Sequence, residues 1–128
     1  LKDEYRDRMQ KHRVQLTRML MAYSTNAFIY EPTFLWEDAR SVYHEREYPA
    51  EFLASMPVHP DNPEGRALVK ELKGRIQELC TQNGAIHMQI GKDYPYLQTR
   101  KPATAALVKD LKQTLDPNGL MNPGALGL

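Results

Sequence analysis

Gly84-Ala-Ile-His-Met-Gln-Ile-Gly-Lys-Asp-Tyr-Pro-Tyr96 and Leu115-Asp-Pro-Asn-Gly-Leu-Met-Asn-Pro-Gly124 are the stretches whose reading decides the fold. The first follows a turn signal at Asn83-Gly84. Its run Ala85-Ile-His-Met-Gln-Ile90 has the length and composition of a short buried strand. Between the two stretches, Pro102 suits the first turn of a helix, where its missing N–H has no partner to lose. Leu107, Val108, Leu111 and Leu115 then give that helix an apolar stripe at 3.6-residue spacing. Asp116-Pro-Asn-Gly119 reads as a turn, with Pro setting φ at its second position and Gly tolerating its last. The tail beyond carries Leu120 and Met121, breaks again at Asn122-Pro-Gly124, and has too little periodicity for an element of its own. Such a tail has to lie on something.

Working outward from there, Asn62-Pro63 predicts a helix start, with Asn as cap and Pro at the first helical position. Leu68, Val69, Leu72, Ile76, Leu79 and Cys80 line one face, and Asn83-Gly84 supplies the stop. Gly74 inside this helix costs about 1 kcal/mol relative to Ala. Ala27 to Trp36, aromatic and β-branched, predicts a strand, and Pro32 places it at an edge or a bulge. Leu1, Tyr5, Met9, Leu16, Leu20 and Tyr23 recur at roughly helical spacing and predict one amphipathic helix ending near Ser24-Thr-Asn26. Glu37 to His44 continues the strand or leaves it. Residues 45–63 read as a proline-bearing connection with one helical turn around Ala50 to Ser55. The fold class is α+β, an antiparallel sheet covered by helices, with a C-terminal helix and irregular tail. Two strands do not easily make a stable sheet, so unless residues 40–48 supply a third, the sheet edges need partners.

The pattern Leu111-Lys112 with Leu115-Asp-Pro-Asn-Gly-Leu-Met-Asn-Pro-Gly124, preceded by the glycine-led run from Gly84, resembles the C-terminal signature of FAD-linked oxidases. The resemblance is to the vanillyl-alcohol oxidase / p-cresol methylhydroxylase superfamily and spans residues 84–124 well, residues 1–83 loosely. It implies that residues 1–97 are the C-terminal part of the substrate (cap) domain, and that residues 98–128 return to the FAD domain. It also implies an FAD-dependent oxidase or dehydrogenase that oxidises an alcohol or alkylphenol by hydride transfer to flavin, with a 2-hydroxy acid as the alternative substrate class. FAD would be held mostly by residues outside this chain, in the N-terminal FAD-binding portion of the same enzyme, so this fragment alone would be inactive. The other reading is a non-catalytic binding or homo-oligomerisation module.

Composition excludes several classes. The chain has 128 residues, enough for one domain with a real core. Lys and Arg number 17 against 16 Asp and Glu, which gives no electrostatic case for nucleic acid or an anionic membrane. No apolar run is long enough for a membrane span, and no signal peptide is expected. The single Cys80 excludes an internal disulfide framework and suits a reducing, cytoplasmic compartment. The chain opens on Leu1 with an uncapped helical pattern and reads as a piece of a longer protein.

Among chemistry-bearing residues, His87 comes first. Alternation along the expected strand puts Ala85, His87 and Gln89 on one face and Ile86, Met88 and Ile90 on the other, so one face is polar. The resemblance places this strand beside the flavin. His87 is then the catalytic candidate, as base or hydrogen-bond donor, because an imidazole titrates near neutrality. The plainer reading is that His87 and Gln89 face solvent or satisfy local backbone. Ile86-His87 stands where phenol-oxidising members carry Tyr-Arg, and His87-Met-Gln-Ile-Gly91 lacks the Glu-His-Gly of the 2-hydroxyacid branch, so no metal site is expected. Gln89, on the face of His87, and Tyr94, Tyr96 and Arg100 are substrate-binding candidates; the last three with Lys92 form an aromatic and cationic wall around Pro95 or, more simply, a rigid surface turn. Lys92 and Asn122 are the cofactor-binding candidates, the second because the resemblance sets the tail close to FAD. Tyr30, Phe34 and Trp36 share a strand face that reads more simply as core. His12, His44 and His59 share no ligand spacing. No Gly-rich phosphate loop is present, since Gly119 to Gly127 has no following helix.

Overall fold

A computed structural model describes residues 1–87, 89, 91–94 and 96–128. Its described residues form a two-stranded antiparallel sheet and five α-helices, an α+β fold. They gather into two compact units, Leu1–Leu72 and Lys73–Leu128.

In the first unit, α1 (Lys2–Lys11) ends where Arg13 takes a left-handed φ of 53°. The chain then enters β1 (Val14–Tyr23), turns at Ser24-Thr-Asn26, and returns as β2 (Ala27–Trp36). The pairing runs unbroken from Val14 opposite Trp36 to Tyr23 opposite Ala27. This corrects the expectation of one helix from Leu1 to Ser24. Leu16, Leu20 and Tyr23 stand at i, i+4 and i+7 as on a helix face, but Val14 to Tyr23 pair with ten residues of β2 through a three-residue turn, with Ser24 at φ 61°. Pairing with a neighbouring strand outweighs the local helical periodicity. Pro32 lies opposite Arg18, and both strands of a two-stranded sheet are edges, where proline is tolerated.

Residues 40–48 supply no third strand; they hold α2 (Val42–Glu47), capped at Ser41, whose Oγ lies 2.9 Å from the His44 Nδ1. α3 (Ala50–Ser55) follows, where one helical turn was expected. α4 (Pro63–Gln82) begins at Asn62 as anticipated. Its Leu68, Val69 and Leu72 bury against Met9 and Val14, with Leu1, Tyr5, Leu16 and Phe34 packed around them. Leu72 is 0 % exposed, so truncating it to Ala costs about 2–5 kcal/mol. Beyond this core the far half of the hairpin carries exposed Leu20, Met21, Tyr23, Phe28 and Tyr30.

A polar hub fixes how β2 and α1 meet the start of α4. The Asn62 Nδ2 donates to the backbone oxygens of His12 (3.1 Å) and Glu37 (2.9 Å), while its Oδ1 accepts the Gly65 N–H at 2.9 Å. The Asn62 N–H donates to Asp38 Oδ1, which also accepts from Arg66. The cleft beside it, about 500 Å³, is lined by Lys11, His12, Arg13, Glu37, Asp61 and Asn62 among others.

In the second unit, α4 stops with the Gly84 N–H bonded to Thr81 O and the Ala85 N–H to Cys80 O, while Gly84 sits at φ 72°. That is a Schellman cap, and it explains why Asn83-Gly84 halts the helix. Ala85, Ile86 and His87 are irregular and Gln89 lies in a bend, so the described part of the expected strand is not strand. A strand forms only against another, and no described residue pairs with this one. The expectations for Met88 and Ile90 fall outside the described residues. A one-turn 3-10 helix (Leu97–Thr99) leads to α5 (Pro102–Leu115), which starts at Pro102 as its sequence predicts. Leu107, Leu111 and Leu115 on α5 are exposed.

Candidate functional site

The site grows from the irregular stretch between the cap of α4 and the 3-10 helix. Its described residues lie in no helix or strand, and side-chain ties help to shape them. The Tyr94 hydroxyl donates to Gln89 Oε1 at 2.7 Å. The Tyr94 ring also lies against His87, with centroids 5.8 Å apart and planes at 50°, and it packs over Gly91, where an added Cβ would sit 3.5 Å from its edge. His87, Gln89 and Tyr94 therefore form one cluster. The His87 Nε2 is buried without a hydrogen-bond partner among the described residues. An orphaned ring nitrogen is costly unless a ligand or water completes it.

Gln89 spends its carbonyl oxygen on Tyr94, which leaves its amide N–H₂ to donate elsewhere. The cluster thus offers an amide donor, a phenol oxygen with free lone pairs, and an imidazole nitrogen. Such a set has the chemistry to hydrogen-bond an oxygen function.

Tyr96 and Arg100 pair separately. The Arg100 guanidinium carbon lies 4.9 Å from the Tyr96 ring centroid, a cation–π contact, and its Nη2 donates to Thr99 Oγ1 at 3.0 Å. The Arg100 Nε is the second buried group without a partner among the described residues. Tyr94 and Tyr96, two positions apart around Pro95, thus serve two clusters, whereas one wall was expected; Pro95 is outside the described residues.

Lys92 and Asn122 are exposed and lie along the tail. A Cβ added at Gly124 would approach the Lys92 Cδ at 4.0 Å, and the Asn122 carbonyl accepts the Ala125 N–H at 3.0 Å. The tail is tied back to the site by the Leu126 N–H, which donates to Gly91 O at 3.3 Å. Its shape comes from Asp116, a buried carboxylate at the end of α5 that accepts the Leu120 and Met121 N–H groups at 2.8 Å each and pairs with Lys112. The Lys112 ammonium, then the Met121 and Leu120 amides, hold the Asp116 carboxyl below the usual carboxylate range against the opposing effect of burial. Asp116 is therefore an anchor for the tail.

Two residues of this neighbourhood carried no sequence signal. Lys73 and Gln77, one turn apart on α4, both reach Asp93: the Lys73 Nζ lies 3.1 Å from Asp93 Oδ2, and the Gln77 amide donates to Asp93 O. The apolar periodicity of α4 marks the face of Leu68, Val69 and Leu72 and passes over this polar pair. An i, i+4 polar pair was the one hint available. Among the described residues, no three His, Cys, Asp or Glu side chains converge as a metal-holding group.

With this geometry in place, the comparison with known families is direct. The family of FAD linked oxidases, C-terminal domain, matches residues 59–126, more than half of the chain. The chain belongs to that family. It is thus part of a flavin-dependent oxidoreductase, and the cofactor of its family is FAD. The matched region runs from His59 through α4, the His87 cluster, α5 and the tail, while the hairpin lies outside it. No curated protein and no solved structure matches the chain. Among the described residues, no helix is long and apolar enough to cross a membrane.

Proposed function

We propose that this chain supplies the substrate-facing wall of an FAD-dependent oxidoreductase acting on an alcohol or alkylphenol. The observation that carries the reading is the buried, unpartnered His87 Nε2 beside the bonded Tyr94–Gln89 pair, inside the family-matched region. When bound, FAD supplies the hydride acceptor. The donor set fits a hydroxyl-bearing substrate beside a flavin's polar ring edge. His87 Nε2 takes the substrate's hydroxyl proton as the carbon loses its hydride, leaving a carbonyl or its vinylogue. The Gln89 amide and Tyr94 hydroxyl orient the substrate oxygen. Arg100, stacked on Tyr96, presents its free Nε to an acidic group, which keeps a 2-hydroxy acid as the alternative substrate. Lys92 and Asn122, both exposed, would help to hold the cofactor.

On this reading residues 1–97 belong to the substrate domain, and residues 98–128 return to the FAD domain of the N-terminal portion. The exposed Leu107, Leu111 and Leu115 stripe supports such a return. The free Cys80 supports a cytoplasmic setting. The exposed apolar hairpin supports a second role in homo-oligomer assembly, which sedimentation of the native protein decides: a monomer ends it.

The test of the catalytic reading is single-turnover flavin reduction in the full-length flavoprotein, with panels of primary alcohols, alkylphenols and 2-hydroxy acids. His87→Ala is expected to slow reduction about 100-fold or more while flavin absorbance is retained. An unchanged reduction rate sinks the proposed role.

A further inference from the structure

We propose that Gln77 is a positioning residue for the His87 cluster, acting from α4 through the backbone of Asp93. The inference rests on the proposed role of that cluster for its functional consequence. None of the described residues between 85 and 94 lies in a helix or strand, so no regular element among them sets where His87 and Tyr94 stand. Past the Ala85 N–H, which closes the cap of α4 on Cys80 O, the ties from the described residues of this segment to α4 come at Asp93. Its backbone oxygen accepts the Gln77 amide, and its carboxylate pairs with Lys73 at 3.1 Å. The next residue is Tyr94, which bonds Gln89, meets the His87 ring and covers Gly91.

The two ties are unequal. Lys73 and Asp93 are 49 % and 69 % exposed at their side chains, and ion pairs that open to water contribute little. Gln77 is half-buried and donates to a main-chain oxygen, which fixes the path of the backbone itself. A loop held this way opens locally when its tie is lost, while the rest of the fold stays closed. Gln77 would then act on the chemistry without touching substrate, by keeping the His87 Nε2 shielded and aimed.

The experiment reads His87 directly. The full-length flavoprotein is treated with diethyl pyrocarbonate, and the rate of carbethoxylation is followed at each histidine by peptide mass spectrometry. His12, His44 and His59 serve as internal references. Gln77→Ala, and Gln77→Glu, which keeps the size but cannot donate to a carbonyl, are each expected to raise the His87 rate by about threefold or more, as for a loop released to local opening. Gln77→Lys, which restores a donor, is expected to return the rate toward that of the unaltered protein. An unchanged His87 rate in both donor-less variants overturns the proposal. So does a rise shared equally by the three reference histidines, which would mean general loosening. Because the readout is chemical access to one ring, it stands even if His87 proves dispensable for flavin reduction, so the two failures can be told apart.

Discussion

Replacing Asn62 by Ala tests whether the polar hub at the start of α4 holds the first unit together. Three losses follow from the geometry. The Gly65 N–H loses its cap, worth about 1 kcal/mol (range roughly 0.5–2). The His12 and Glu37 carbonyls each lose a donor in a part-buried setting, worth about 0.5–1.5 kcal/mol apiece. The Asn62 main-chain bond to Asp38 survives, because it does not involve the side chain. The total is about 2–4 kcal/mol, a large share of the roughly 5–15 kcal/mol by which domains are stable. The assay is urea unfolding followed by the fluorescence of Trp36, the chain's single tryptophan, whose indole N–H bonds Asp38 beside the hub. A series sharpens the test. Asn62→Ser keeps a cap acceptor and loses both side-chain donors, so it should fall between the native residue and Ala. Asn62→Asp also keeps the acceptor, but it adds a carboxylate next to Asp38 and should be less stable than Ser. A loss below about 0.5 kcal/mol for Ala, or an Asp variant as stable as the native protein, would refute the hub and leave Asn62 a solvated loop residue.

Two further predictions follow from the same region. Gly65→Ala should destabilise, although Ala is the better helix former, because its Cβ would lie 2.6 Å from the Asn62 Nδ2, whose amide is held in place by its own hydrogen bonds; a thermal melt at or above the native value would contradict this. Burial alone would raise the Asp38 carboxyl, but the Asn62 N–H, the Trp36 indole, the Arg66 guanidinium and the Ala39 N–H outweigh it and hold its pKa down to about 2, against 3.8 when unfolded. The folded value is the lower one, so this stabilisation is complete above the unfolded pKa and is lost as pH falls from about 4 to about 2. Acid titration of Asp38→Asn should therefore show a lower plateau at neutral pH and a flatter limb in that window, and equal limbs in the two proteins would count against it.

The sequence by itself determined the features whose cause is local. Asn62-Pro63 starts α4 because an amide oxygen and a ring-locked φ do their work within three residues. Asn83-Gly84 ends it because only a residue tolerant of positive φ closes the Schellman bonds to Cys80 and Thr81. Pro102 opens α5, and Asp116-Pro-Asn-Gly119 turns the chain, for equally short-range reasons. The family signature was legible for the same cause, since its residues are spaced by those turns.

Tertiary structure alone decided the rest. Residues 14–23 became a strand because β2 stood ready to pair with them, and hydrogen bonding between segments is invisible to local periodicity. The described part of residues 85–90 took no strand form because nothing described pairs with it. His87, Gln89 and Tyr94 were each visible as polar candidates. Their grouping into one cluster, the separate stacking of Arg100 on Tyr96, and the hold of Gln77 on Asp93 all depend on how an irregular segment folds back on itself. Side-chain chemistry is written in the chain, but the distances between side chains are set only when the backbone closes.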